Sequence, residues 1–222
     1  TEGGGRGRRS LAQFVVELRA VMPALVIGSA LAGAVQVLVP RDLLLAIGSN
    51  PAFYAAHNDL GNLLLLAGRY EEAMQCFLKL LELRPGEARA LTSIGNIHFF
   101  QGETGRALGY FTLALESDPE MTSTLANTAW ILATASEESL RNAPKALELA
   151  SRAAQLSKRE DPSILQVLAA AHAATGAFDQ AVATCIEAAQ RARAKGNESL
   201  AASIEALQRT FEQKEHFRAS TR

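Results

Sequence analysis

The sequence predicts an all-α solenoid of stacked helix–turn–helix units, and the main reason is an internal duplication. When residues 54–87 are shifted by 34 positions, nine identical pairs align, whereas a random register at this composition gives roughly two or three. The pairs are Ala56/Ala90, Gly61/Gly95, Asn62/Asn96, Gly68/Gly102, Ala73/Ala107, Phe77/Phe111, Leu81/Leu115, Glu82/Glu116 and Pro85/Pro119. A repeat of this length is typical of solenoids, in which each unit buries its apolar face against the next one.

The spacing within each unit supports two closely packed antiparallel helices. Gly61 and Ala73 are small, which lets the two helices cross without pushing their backbones apart. Gly68 suits the left-handed end of the first helix. Pro85 follows the second helix, where the missing N–H prevents its continuation. The second unit repeats the same pattern 34 positions later.

Two further units follow that match the repeat pattern less closely. In the fourth, Ala169 and Ala181 keep the spacing of 12 positions between the small residues. In the third, Ala129 and Ala146 are 17 positions apart, so we expect five extra residues in the turn around 136–142. Insertions of this kind map to loops on one face of a solenoid.

These patterns predict a repeat domain over residues 51–218. Its four units span about 54–87, 88–121, 122–160 and 162–195. A last helix over 198–217 should close the stack, because its apolar residues Leu200, Ile204, Leu207 and Phe211 share one face. A disordered basic tail (1–10) and a membrane-anchor segment (11–50) precede the domain.

The motif His57-x2-Leu60-Gly61-x2-Leu64, followed by Ala73-x3-Phe77, resembles the tetratricopeptide repeat family over residues 54–195. Four further stretches are similar to a bacterial variety that is often membrane-attached, in some proteins after the spans of a glycosyltransferase. They are residues 129–134, 140–142, 168–171 and 176–178. The resemblance implies binding of other proteins in a concave groove lined by the first helix of each unit.

By the repeat register, the first-helix residues that turn away from their own second helix should line this groove. They are Asn58, Asn62, Arg89, Thr92, Asn96, Phe99, Asn127, Trp130 and Thr134. Side-chain amides can satisfy the backbone of an extended peptide, and Phe99 and Trp130 offer apolar anchors. In the alternative interpretation, Asn62 and Asn96 bridge repeats and Trp130 packs between units. The family's clamp for a terminal carboxylate needs basic residues at the positions that Asn58, Ser123 and Asn127 occupy. This sequence departs from that clamp, so chaperone tails that end in a carboxylate are not expected ligands.

Residues 20–40 predict a single membrane-spanning helix. This stretch carries no charge over 21 residues, and such a helix would be about 31 Å long against a bilayer core of about 30 Å. Basic residues before it outnumber those after it. The expected location is therefore a bacterial inner membrane, with the N-terminus cytoplasmic and the repeats periplasmic. The alternative is a cleaved signal peptide, ending near Ala30-Leu31-Ala32, that would leave a soluble exported protein.

Residues 11–51 also resemble the start of one half of predicted permeases related to arsenical exporters. A second functional hypothesis follows: the chain is a fragment of a larger membrane protein, either a glycosyltransferase tail or a permease remnant. Within the span, Ala24, Gly28 and Ala32 recur every four residues. Such spacing favours helix–helix packing, so we also consider a homo-oligomer against the simpler view that these are ordinary small residues.

The composition argues against several other functions. A net charge of −1 and a pI near 6.4 give no basic surface, so nucleic acid is not an expected partner. Cys76 and Cys185 lie far apart without metal-type spacing. The histidines fall on different units, and no nucleophile–base set or phosphate loop is present. We therefore predict no enzyme activity, no cofactor and no metal site.

Overall fold

The structure, a computed structural model, describes residues 54–219, and over this range it contains nine α-helices, a single 3-10 turn and no strand. This result confirms the all-α prediction. The predicted basic tail, membrane span and permease-like stretch lie outside the described residues. No helix in the described range is both long and apolar enough to cross a membrane. The helices are α1 (Tyr54–Leu66), α2 (Tyr70–Leu83), α3 (Ala88–Phe100), α4 (Thr104–Ser117), α5 (Thr122–Thr134), α6 (Ala143–Leu156), α7 (Pro162–Ala174), α8 (Phe178–Ala194) and α9 (Glu198–Glu212).

The first eight helices pack as four consecutive pairs. Each pair contacts the next, through α2 with α3, α4 with α5, and α6 with α7. Helix α9 packs mainly against α8 and covers the end of the last pair. The described residues therefore form a four-unit solenoid in which α1, α3, α5 and α7 are the first helices of their units.

Local sequence signals set the ends of these helices. Glycines with φ between 72° and 81° follow three of the first helices, at Gly68, Gly102 and Gly176, where a side chain would strain the backbone. Asp161 begins α7 by accepting a hydrogen bond from the backbone N–H of Ser163 at 2.8 Å. Asn142 begins α6 in the same way through Lys145.

The third unit accommodates its extra residues in a 3-10 turn, Glu138–Leu140. The Arg141 guanidinium donates to the carbonyls of Ala135 and Ser136 just beyond the end of α5, at 3.2 and 3.1 Å. The backbone N–H of Asn142 donates to the carbonyl of Leu132 at 2.9 Å. The Asn142 N–H thus replaces the residue after the glycine, whose N–H bonds the equivalent carbonyls of Leu64, His98 and His172 in the other units.

The helix crossings depend on matched side-chain volumes. A Cβ atom on Gly95 would lie 2.5 Å from the ring of Phe111, and one on Gly61 would lie 2.8 Å from the ring of Phe77. Both phenylalanines are fully buried. The glycines are therefore required by the rings that fill the space above them.

The closing helix is shorter than the sequence predicts. Helix α9 ends at Glu212 rather than at residue 217, because Lys214 adopts a left-handed conformation with φ of 57°. The backbone N–H groups of Lys214 and Glu215 bond back to the carbonyls of Phe211 and Thr210, which terminates the helix. Residues 215–219 then continue without helical structure along the repeats.

Candidate peptide-binding groove

The first helices of the second, third and fourth units enclose a groove of 880 Å³. Small and polar side chains dominate its walls, and the turns that precede α5 and α7 form its rim. Among the lining residues are Arg89, Thr92, Ser93, Asn96, Asp118, Glu120, Ser123, Ala126, Asn127, Asp161, Ser163, Ile164 and Val167. Four of the nine predicted site residues, Arg89, Thr92, Asn96 and Asn127, therefore lie in one groove.

Two of these residues form an amide bridge across the groove. The Nδ2 atom of Asn127 on α5 donates to Oδ1 of Asn96 on α3 at 2.8 Å, and both side chains are half-buried. An amide has two donor hydrogens and one carbonyl oxygen. The bond joins the second and third units, as the alternative interpretation of Asn96 expects. It leaves the Asn96 Nδ2 group and the Asn127 carbonyl oxygen for a further partner.

The two predicted threonines have local hydrogen-bond partners. Thr92 is buried, and its Oγ1 lies 2.8 Å from the Ala88 carbonyl and 2.7 Å from the hydroxyl of Thr124 on α5. Thr134 is buried, and its hydroxyl donates to the carbonyl of Trp130 at 2.8 Å. These hydroxyls serve helix packing, a role that the repeat register alone does not reveal.

The remaining predicted residues are divided between two environments. Asn58 is half-buried and Asn62 is exposed, both on α1. Phe99 is half-buried and packs against an apolar cluster that joins Phe111 of the same unit to Ile131 of the next one. Phe99 therefore contributes to the joint between units.

Trp130 lies beneath the C-terminal tail, which we define as residues 215–219. The rings of Trp130 and Phe217 have centroids 5.7 Å apart, and His216 lies 5.2 Å from the ring of Phe178. The backbone N–H of Ala219 donates to the carbonyl of Thr134 at 2.9 Å. The tail thus covers the C-terminal end of α5.

The charge of the groove favours a neutral or basic ligand. Its lining carries the carboxylates of Asp118 and Asp161 against the guanidinium of Arg89, and a third carboxylate, Glu120, which pairs with Arg152 at 3.4 Å. Ser123 and Asn127 stand where a carboxylate clamp would need basic side chains. A terminal carboxylate would therefore meet mainly like charge on this rim.

Sequence reasoning missed two exposed apolar residues on the first helices. Leu66 and Phe100 are 70% and 59% exposed, and Phe100 stacks on Tyr70 with ring centroids 6.2 Å apart. Leu66, Phe100 and Thr134 follow one another at intervals of 34 residues. The same register that selected Thr134 therefore could have identified the other two.

His98 and the two cysteines occupy packing positions. His98 is buried, with Nδ1 2.6 Å from a carboxylate oxygen of Glu103, and it stacks on Tyr110. Within the described residues, no group of three potential metal ligands comes together. Burial raises the pKa of Cys76 to about 11 and that of Cys185 to about 12, so both thiols stay protonated at neutral pH.

Comparison with known proteins supports the repeat assignment. Residues 53–120 match a family model described as the tetratricopeptide repeat, and this is the stretch that is duplicated in the sequence. No curated protein matches the sequence significantly. Solved structures of other proteins share the fold, and two of them illustrate the likeness. TTC0263, a thermophilic TPR protein in Thermus thermophilus, is 18% identical, with a TM-score of 0.52 over 70% of this chain and 89% of that one.

The second similar structure is MamA 41-end from Desulfovibrio magneticus RS-1. It is 14% identical, with a TM-score of 0.51 over 72% of this chain and 95% of that one. Together with the family match, these likenesses confirm a solenoid of the tetratricopeptide type. They do not bear on the membrane-attached variety or the permease resemblance, which stay predictions.

Proposed function

We propose that this chain is a scaffold whose groove binds extended segments of other proteins. The observation that carries the proposal is the amide bridge between Asn96 and Asn127. It lies in an 880 Å³ groove formed by three consecutive units. Because the groove passes over three successive first helices, it suits a linear segment that crosses them.

The chemistry of the bridge favours recognition of a peptide backbone. The bridge uses one donor of Asn127 and the carbonyl of Asn96, so each residue keeps a group of the opposite kind. A backbone amide presents one donor and one acceptor in every residue, whatever its side chain. The two asparagines can therefore hold an extended chain without fixing its sequence.

The carboxylates of the rim indicate which charge a bound segment should carry. Asp118 accepts the backbone N–H of Glu120, and Asp161 accepts that of Ser163, so both are held in place by their own turns. Fixed charges of one sign select ligands by electrostatic complementarity. We expect bound segments to be neutral or basic rather than acidic.

Selection of short random peptides on the full chain, followed by fluorescence polarisation with synthetic copies of those selected, tests the proposal. Asn96→Ala should weaken binding about two- to thirteen-fold, because one hydrogen bond contributes about 0.5–1.5 kcal/mol. Gln190→Ala is the matched control, since Gln190 is an exposed amide on α8 away from the groove lining. Equal dissociation constants for the two variants, or no selected peptide at all, would contradict the proposed groove.

We further propose that residues 20–40 anchor the scaffold in a bacterial inner membrane with the repeats in the periplasm. The uncharged stretch and the preceding arginines support this orientation. Protease added to intact spheroplasts should digest the repeat domain while a cytoplasmic marker survives. Recovery of the repeats in the soluble periplasmic fraction would favour the exported form instead.

A further inference from the structure

The C-terminal tail places two consecutive aromatic side chains on two aromatic side chains of the repeats. His216 meets Phe178 at the start of α8, and Phe217 meets Trp130 near the end of α5, with ring centroids 5.2 and 5.7 Å apart. Successive side chains of an extended chain point in different directions. One extended segment can therefore reach both rings.

The tail also bonds to the repeats through its backbone. The N–H of Ala219 donates to the Thr134 carbonyl at 2.9 Å, two residues after Phe217. This carbonyl lies in the last turn of α5, where helical carbonyls lack partners within the helix. The contact accordingly combines side-chain stacking with backbone pairing, as expected for recognition of an extended peptide.

Trp130 occupies the position in its unit that Asn96 occupies in the preceding one, 34 residues earlier. The tail therefore covers the continuation of the row of residues to which the amide bridge belongs. Phe217 is half-buried at this point, although it lies outside the described helices, whereas His216 stays exposed beside Phe178. A ligand that follows this row of residues from Asn96 to Trp130 would meet the tail.

We propose that Trp130, Phe178 and the Thr134 carbonyl form an aromatic subsite for extended segments with two adjacent aromatic side chains, and that His216 and Phe217 fill it in cis. This inference rests on the proposed peptide-binding function and adds the class of residue that the groove selects. The tail acts as an internal ligand that lowers the affinity for external ones. The subsite becomes available when the tail is released.

Trp130 is the single tryptophan of the chain, so its fluorescence reports on the subsite directly. In the full chain, Phe217→Ala should shift the emission to longer wavelength and increase quenching by iodide. Glu215→Ala is the matched control, because this exposed side chain lies in the same tail. Circular dichroism should show equal helix content in both variants, since both residues follow α9. Unchanged quenching in Phe217→Ala would overturn the inference.

The second arm measures binding of a blocked synthetic peptide with the sequence of residues 212–222, which contains no tryptophan. If the tail covers the subsite in about nine molecules of ten, Phe217→Ala should strengthen the apparent affinity of the peptide about ten-fold over wild type. Adding Phe178→Leu to this variant, or replacing the phenylalanine of the peptide by alanine, should weaken binding again. Equal affinity for wild type and Phe217→Ala, or no binding to either, would overturn the inference.

These outcomes separate the subsite from the proposed function. If peptide affinity falls in Asn96→Ala but does not change in Phe217→Ala, the groove remains supported as a binding site and only the aromatic subsite is refuted. Failure of every selected peptide to bind would instead contradict the proposed function itself.

Discussion

The first two units and the last two units achieve the same helix crossing with different residue pairs. In the first two, a glycine on the first helix faces a buried phenylalanine on the second, as in Gly95 and Phe111. In the fourth, the corresponding residues are Ala169 and Cys185, both fully buried. A larger residue on one helix is thus accompanied by a smaller one on the other. The first half therefore fills the crossing with a ring against a glycine, and the second half with two small residues, Ala129 and Ala150 in the third unit and Ala169 and Cys185 in the fourth.

The C-terminal ends of the first helices also differ between the same two halves. In the first half, Leu66 and Phe100 are exposed at the ends of α1 and α3. In the second half, the C-terminal tail covers the end of α5, and the carbonyl of Thr134 accepts a bond from Ala219. Since Leu66, Phe100 and Thr134 share one repeat position, the difference arises from residues outside the repeats.

The largest effect should come from removing a ring of the first half. Phe111→Ala should lower the free energy of unfolding by about 3–5 kcal/mol, because the cavity lies at a joint between two units. Cys185→Ala, the equivalent change in the second half, should cost only about 1 kcal/mol, since a single buried atom is lost. Urea denaturation of the two variants measures both values, and equal losses would remove the distinction between the halves.

An intermediate effect is expected where a methyl group is added to the first half. Gly95→Ala should destabilise the chain by about 1–2 kcal/mol, because overpacking against Phe111 outweighs the better helix propensity of alanine. Gly109→Ala on α4 is the control: a Cβ atom there meets nothing within 4 Å, so this change should be neutral or stabilising. The double variant Gly95→Ala/Phe111→Leu should regain part of the lost stability, which thermal denaturation measures. A Gly95→Ala protein as stable as wild type would show that the ring moves freely.

The smallest effect concerns pH and the two histidines at equivalent positions, His98 and His172. His98 has Glu103 as a partner, whereas Nδ1 of His172 is buried and has no hydrogen-bond partner among the described residues. Burial, and then the charge of Arg159, hold the pKa of His172 below its usual value. As the pH falls below about 6.5, His172 is therefore protonated in the unfolded chain before it is protonated in the folded chain. Acidification then favours the unfolded chain, and stability is lost.

His172→Leu should accordingly reduce the fall in Tm between neutral pH and pH of about 5.5. Leucine is the residue that the third unit carries at this position, Leu132, so the substitution should be accommodated by the fold. Differential scanning calorimetry at both pH values measures the change. An identical fall in the variant and in wild type would assign the acid sensitivity to other groups.

The repeat register predicts the helices and part of the groove, because both follow from the position of a residue within a unit. It places Asn96 and Asn127 on the first helices, but it does not reveal that they bond to each other. It also selects Thr92 and Thr134, whose hydroxyls turn back to helix carbonyls one turn earlier. Side-chain hydrogen bonds depend on rotamers that spacing does not determine.

The C-terminal tail could not be predicted by the same reasoning. The apolar periodicity of α9 ends with Phe211, and the left-handed backbone at Lys214 is one that lysine rarely adopts. Phe217 lies beyond the last repeat, so no register relates it to Trp130. The contact between them depends on the path of the chain after α9, which is a tertiary property.

The amide bridge also has a mechanical consequence for the four-unit solenoid. In a stack where each unit touches only its neighbours, tension along the stack acts on the joints between units. At the joint between the second and third units, Asn96 is bonded to Asn127 and Thr92 to Thr124. Separating the units at this joint must break both bonds, so the joint between the second and third units resists opening.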